Sequence, residues 1–211
     1  MDRRTLLLRL SVTLATIGTV VPAAADAVPN PSRSELVARI ERYLDGLRYL
    51  EARFSQIGPY GDLATGTFYL WRPGRLRIEY DPPSQVLLLA TDWRLIFYDG
   101  SIDQVTTIPL AQTPLGFILA EKVDLEQEVE IRDLEARGGE IAITVVRRGA
   151  PDQGSVTLVF ASRPVELRRW TVIDPQGLAT RVVLEDLRRD APIDPDLFRW
   201  RDPRFFGPSS D

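Results

Sequence analysis

The chain has 211 residues, a formal net charge of −4, and neither histidine nor cysteine. Those absences exclude zinc sites built on His and Cys, triads that need an imidazole, thiol nucleophiles and disulfides. An acidic chain is also a poor match for phosphate backbones, so no nucleic-acid partner is expected.

Arg3 and Arg4 open the chain, an apolar run from Leu6 to Val21 follows with Arg9 inside it, and Ala23-Ala24-Ala25 precedes Asp26. That order is the order of a cleaved secretory signal peptide. The run is shorter than the ~20 residues a membrane anchor needs. The paired arginines leave Sec-type and twin-arginine export both open. No cysteine follows the run, so the chain is not expected to be acylated as a lipoprotein itself. Cleavage after residue 25 removes three arginines and Asp2, which leaves residues 26–211 as one exported domain of 186 residues with a charge of −6. That length is ample for a single core.

From Ser32 the apolar residues recur at three- and four-residue spacing: Leu36, Val37, Ile40, Tyr43, Leu44, Leu47, Leu50, Phe54 and Ile57. This spacing predicts one long amphipathic helix. Ser32 and Glu35 form a capping box at its start, Gly46 interrupts it, and Gly58-Pro59 ends it.

Beyond Gly66 the alternation changes to period two. Strands are predicted over 66–71, 75–80, 85–91, 94–99, 104–108, 129–135, 140–147, 155–161, 166–173 and 180–188, with turn residues between them. Many short strands with hairpin-length gaps imply a strongly curved antiparallel sheet. One segment breaks this rhythm. Thr113 to Lys122 begins with a candidate N-cap and with proline at the first helical position, and it is apolar on nearly every side until Glu121. Such a helix is either plain core or the cover over a ligand.

Sorting Thr67 to Tyr80 by parity places Phe68, Leu70, Arg72, Leu76, Ile78 and Tyr80 on one face. Arg72 is the only charge in that set. Either it is a turn arginine that reaches solvent beside Pro73, or it is a polar latch whose fixed donors hold the carbonyl end of a short helix. No pair of acids stands out among the thirty present, and no glycine loop cradles a phosphate. No enzyme activity and no cofactor are expected.

Phe54-Ser55-Gln56, the run from Gly66 to Tyr80 around Arg72-Pro73-Gly74, Thr113-Pro114-Leu115, Asp174-Pro175-Gln176-Gly177 and Ile193-Asp194-Pro195-Asp196-Leu197-Phe198 follow one another in a familiar order. In these landmarks the chain resembles the outer-membrane lipoprotein carriers (LolA). The resemblance implies a mainly β fold with some α: an unclosed antiparallel barrel of about ten to eleven strands, covered by a long N-terminal helix and a short lid helix. It implies that Arg72 is the lid latch and that Pro114, Leu115, Phe117, Ile118 and Leu119 belong to the lid helix. Phe68, Leu70, Leu76, Ile78 and Tyr80 are then expected to form an acyl-binding wall, and Leu87, Leu89, Leu95, Phe97, Ile141, Ile143 and Val145 are candidates to extend it or to pack as ordinary core.

The implied partners are acylated lipoproteins as cargo, an inner-membrane lipoprotein-releasing transporter and an outer-membrane acceptor, met in the periplasm by a monomer. The same fold also suits a lipid- or glycolipid-binding sensor or an envelope-lipid carrier, and only the identity of the cargo separates these readings.

Overall fold

The computed structural model describes residues 31–113 and 116–202. The expected signal peptide and Pro114 and Leu115 of the expected lid helix lie outside the described residues.

The first element is α1, Arg33–Gly46. Its start is the reciprocal box expected from sequence: Glu35 donates its amide to Ser32 Oγ, and the Ser32 amide donates to Glu35 Oε2 at 2.7 Å. Leu36, Val37, Ile40, Tyr43 and Leu44 form its buried stripe. The helix stops at Gly46, and Tyr49–Ile57 is strand β1, which corrects the single long helix predicted to run through Ile57. Leu50, Ala52 and Phe54 are buried and alternate with half-exposed Glu51, Arg53 and Ser55, a period of two hidden inside the longer apolar repeat. Gly46 weakens a helix by about 1 kcal/mol relative to Ala, whereas the strand gains hydrogen-bonded neighbours on both sides, Leu63–Trp71 and Ala179–Arg189.

The remaining strands are β2 Leu63–Trp71, β3 Arg75–Tyr80, β4 Val86–Thr91, β5 Arg94–Asp99, β6 Gln104–Pro109, β7 Val129–Arg137, β8 Glu140–Arg147, β9 Ser155–Ser162, β10 Val165–Ile173 and β11 Ala179–Arg189. All the predicted strands are present, and β1 makes eleven. They form one antiparallel sheet in the order β6-β5-β4-β3-β2-β1-β11-β10-β9-β8-β7. The chain steps outward from β1 to β6, crosses to the opposite edge at β7, and steps back to β11 beside β1. The two edges do not pair with each other, so the sheet curls without closing. Residues 110–128 are therefore the piece of chain that links one free edge to the other.

The two faces of the sheet bury different things. On the inner face, side chains from β1, β2, β3 and β8 to β11 join α1 and the crossing segment in one apolar cluster. On the outer face, Leu89 and Ile96 pack with Ile193 and Phe198 of the C-terminal segment, flanked by Tyr49, Tyr69, Trp71 and Trp200. Arg77 ties that segment down by donating Nη1 to the Leu197 carbonyl at 3.1 Å.

Candidate functional site

The site is built where the crossing segment meets the β2–β3 hairpin. Trp71 pairs with Arg75, so Arg72, Pro73 and Gly74 form the hairpin loop. The strand register sets Phe68 opposite Ile78, Leu70 opposite Leu76 and Gly66 opposite Tyr80. Directly opposed residues share a face, so the parity sort of this stretch holds through the turn. Gly74 has φ of +76°, a conformation glycine adopts without penalty.

The crossing segment is short and folded tightly. A 3-10 turn at Leu110–Gln112 is followed by α2, Gly116–Leu119, and then α3, Leu125–Glu128. Among the described residues, the helix predicted from Thr113 to Lys122 is the turn Gly116–Leu119, and Ala120 to Lys122 lie outside it. Thr113 closes the preceding 3-10 turn, its amide and its hydroxyl both donating to the Leu110 carbonyl. At the other end the carbonyls that a longer helix would use are taken by the hairpin. The Gly74 amide donates to Leu119 O at 2.9 Å, and Arg72 Nη2 donates to Ala120 O at 2.6 Å. Phe117, Ile118 and Leu119 are all buried, as an all-round apolar turn requires.

Arg72 is only 5 % exposed. Burial works against its charge and lowers its pKa, while Asp45 on α1, with Oδ1 3.7 Å from Nη2, works the other way. Guanidinium stays protonated regardless. Its Nε is buried with no hydrogen-bond partner. This is a buried cation held by one short bond to a main-chain carbonyl and one longer ionic contact, and it is not a turn arginine that reaches solvent.

Two side chains that sequence reasoning did not single out complete the attachments. Asp45 Oδ1 accepts from the Val123 amide, and Glu41 Oε1 accepts from the Leu125 amide, each at 2.9 Å. Nothing in the sequence separates these acids from the others on the polar face of a helix; only the fold brings them against residues some eighty positions away.

Phe68, Leu70 and Leu76 lie buried in the inner cluster, and Ile78 and Tyr80 pack half-buried at its margin. The Tyr80 ring meets Phe54 edge-on at 5.2 Å and its hydroxyl donates to Gln56 at 2.8 Å. Phe68 reaches across the curl to Trp170 of β10, with ring centroids 5.6 Å apart. Of the candidate extensions, Leu95, Ile141, Ile143 and Val145 join the inner cluster. Phe97 stands opposite Leu88 on the same face and is 38 % exposed. Leu87 and Leu89 do not belong to this wall. They pair with Glu79 and Arg77 and so face outward, leaving Leu88 and Ala90 as the inner residues of β4. An all-apolar stretch such as Val86–Ala90 carries no alternation, so its parity is set only by pairing with β3.

Phe117, Ile118 and Leu119 of α2 belong to the same buried cluster as Phe68, Leu70 and Leu76. A cavity of about 310 Å³ lies between α2 with the preceding 3-10 turn and the strands β7 to β9. Phe117, Val129, Val145 and Val156 contribute apolar lining, and Glu121, Glu128 and Arg147 contribute polar lining. This volume is at the low end of the roughly 300–1,000 Å³ usual for ligand sites.

Residues 45–201 match the family model of the outer membrane lipoprotein carrier protein LolA. Among curated relatives, the outer-membrane lipoprotein carrier protein of Methylococcus capsulatus is 29% identical over 175 residues, covering 79% of this chain and 83% of that one. The carrier of Alkalilimnicola ehrlichii is 33% identical over 179 residues, covering 79% of each chain. A crystal structure of an uncharacterized conserved protein from Thermus thermophilus aligns with a TM-score of 0.48 at 14% identity, covering 81% of this chain and 95% of that one.

Proposed function

This chain belongs to the outer-membrane lipoprotein carrier family, and we propose that its mature part, residues 26–211, carries lipoproteins across the periplasm as a monomer. It receives them from an inner-membrane transporter, shields their acyl chains, and gives them to an outer-membrane acceptor. The observation that carries this reading is the lid itself. A short apolar helix lies across the concave face of an unclosed barrel, and the 72–74 hairpin holds it only through its last carbonyls.

The energetics suit a carrier without an energy source of its own. Each buried methylene favours the bound acyl chain by about 0.8 kcal/mol, so a preformed pocket that fitted its cargo fully would not let go. A closed, empty state that is favourable in itself opposes binding by the cost of opening. Arg72 supplies part of that cost. Its bond to Ala120 O is charge-assisted, worth roughly 1.5–3 kcal/mol, while its unpartnered Nε keeps the closed state from being too stable. When cargo leaves, the lid carbonyls find Arg72 again. Phe68, Leu70, Leu76, Ile78 and Tyr80, which share one apolar cluster with Phe117, Ile118 and Leu119, form the wall against which the acyl chains pack.

The test is a dilution experiment. A triacylated lipoprotein in detergent is diluted below the critical micelle concentration with and without the mature protein. A soluble one-to-one complex is the expected result. Aggregation of the lipoprotein at every protein concentration would remove the proposal.

A further inference from the structure

The lid is fastened in two chemically different ways. Its middle offers carbonyls: Leu119 O and Ala120 O accept from the Gly74 amide and from Arg72. Its far end offers amides: Val123 and Leu125 donate to Asp45 and Glu41. The two acids are four residues apart and therefore lie on one face of α1. That helix is itself fixed by its buried stripe and by Arg33, which donates to the Ile131 carbonyl at 3.2 Å.

The far end is gripped on its other flank as well. Arg148 donates Nε to Gln127 O and Nη2 to Val129 O, each at 3.0 Å, and also reaches Glu126 O. Asp124 caps α3 through the Gln127 amide at 3.0 Å. Val123 and Leu125 bury their side chains in the inner cluster, whereas Glu121 and Lys122 between the two sets of fastenings are exposed. The middle is thus held by two hydrogen bonds and the end by a double clamp, with an exposed polar joint between them.

We propose that Asp45 and Glu41 are the fixed hinge of the lid: Arg72 releases α2 while the two acids keep Val123 to Leu125 docked on α1, and the chain bends at Glu121–Lys122. The inference rests on the carrier reading in one respect, that the lid moves to admit an acyl chain. Asp45 has a second task, since the same carboxylate stands beside the Arg72 guanidinium. It links the latch to the hinge and leaves Arg72 a counter-charge when the Ala120 bond is broken.

Amide hydrogen exchange by NMR on the whole mature chain reads both sets directly, because Gly74 reports the latch and Val123 and Leu125 report the hinge. With Arg72→Leu, or on adding 12-(9-anthroyloxy)stearate to the unaltered protein, Gly74 is expected to exchange about tenfold faster while Val123 and Leu125 change less than about twofold. Parallel acceleration of all three amides would overturn the hinge, since the lid would then lift as one piece. Asp45→Ala is expected to expose the Val123 amide, and Asp45→Asn, which keeps an acceptor oxygen, to restore its protection. Should Asp45→Ala fail to fold, Glu41→Ala with the Leu125 amide makes the same test. Unchanged protection of Val123 in Asp45→Ala would also sink the assignment. If the stearate probe binds no variant, the carrier reading fails, and the exchange pattern of Arg72→Leu still decides the hinge.

Discussion

Arg72 sits where a charge is costly, buried at the meeting point of a hairpin, a helix and a lid, with one hydrogen bond and one guanidinium nitrogen left over. Replacing an incompletely satisfied buried ion by an apolar residue of similar bulk is often neutral or stabilising. Arg72→Leu is therefore expected to leave stability to denaturant within about 1 kcal/mol while lengthening retention of a fluorescent acyl ligand by about one to two decades. A loss of stability well beyond that with unchanged retention in the folded variant would mean that Arg72 is structural and not a latch. Two phenols make a separate prediction. Burial pushes the Tyr43 and Tyr80 phenols up, at Tyr80 against the hydrogen bond to Gln56. A group whose folded pKa is raised contributes stability that is complete below its unfolded pKa, near 10 for tyrosine, and is lost as pH rises through the folded value. Denaturant unfolding followed from pH 8 upward is expected to weaken above about pH 10, and less steeply in Tyr43→Phe. An identical slope in that variant would contradict the burial argument.

At the scale of elements, what the sequence made legible depended on whether its periodicities were separable. The strands from β2 to β11 could be read because alternation and turn residues agreed, and the 72–74 turn could be read because Pro-Gly left few alternatives. β1 could not, because Leu47, Leu50, Phe54 and Ile57 satisfy a helical spacing as well as Leu50, Ala52 and Phe54 satisfy an extended one; long-range pairing with β2 and β11 decided it. The outward facing of Leu87 and Leu89 was hidden for the same kind of reason, and Asp45 and Glu41 were invisible until the crossing segment was set against α1. If pairing fixes the boundary, Gly46→Ala, where an added Cβ meets nothing within 4 Å, is expected to stabilise the protein by about 0.5–1 kcal/mol without extending α1. New helical signal beyond Leu47 by circular dichroism or NMR shifts would contradict that. Gly66 behaves oppositely, since a Cβ there would lie 2.1 Å from Glu79 O and 2.5 Å from the Phe54 ring. Gly66→Ala is expected to cost at least roughly 2 kcal/mol in thermal or chemical unfolding, and a cost below about 0.5 kcal/mol would mean that the β2–β3 register is not as described.

For the whole molecule, the decisive feature is that an eleven-stranded sheet curls but does not close, and that one crossing segment joins its two edges. A closed barrel would fix its volume; an open one can widen, which the proposed carrier role asks of a cavity of about 310 Å³. The open, curved sheet was legible from alternation and ordered landmarks, whereas the position of the cavity beside β7 to β9 was not, because it depends on which apolar residues the crossing segment packs against. The most direct measurement is mass spectrometry of the mature protein, intact and after solvent extraction, isolated under native conditions from cells that make it. Triacylated lipoproteins bound to it are the expected result. Free lipid or glycolipid with no attached protein, or no cargo at all, would contradict the lipoprotein carrier reading.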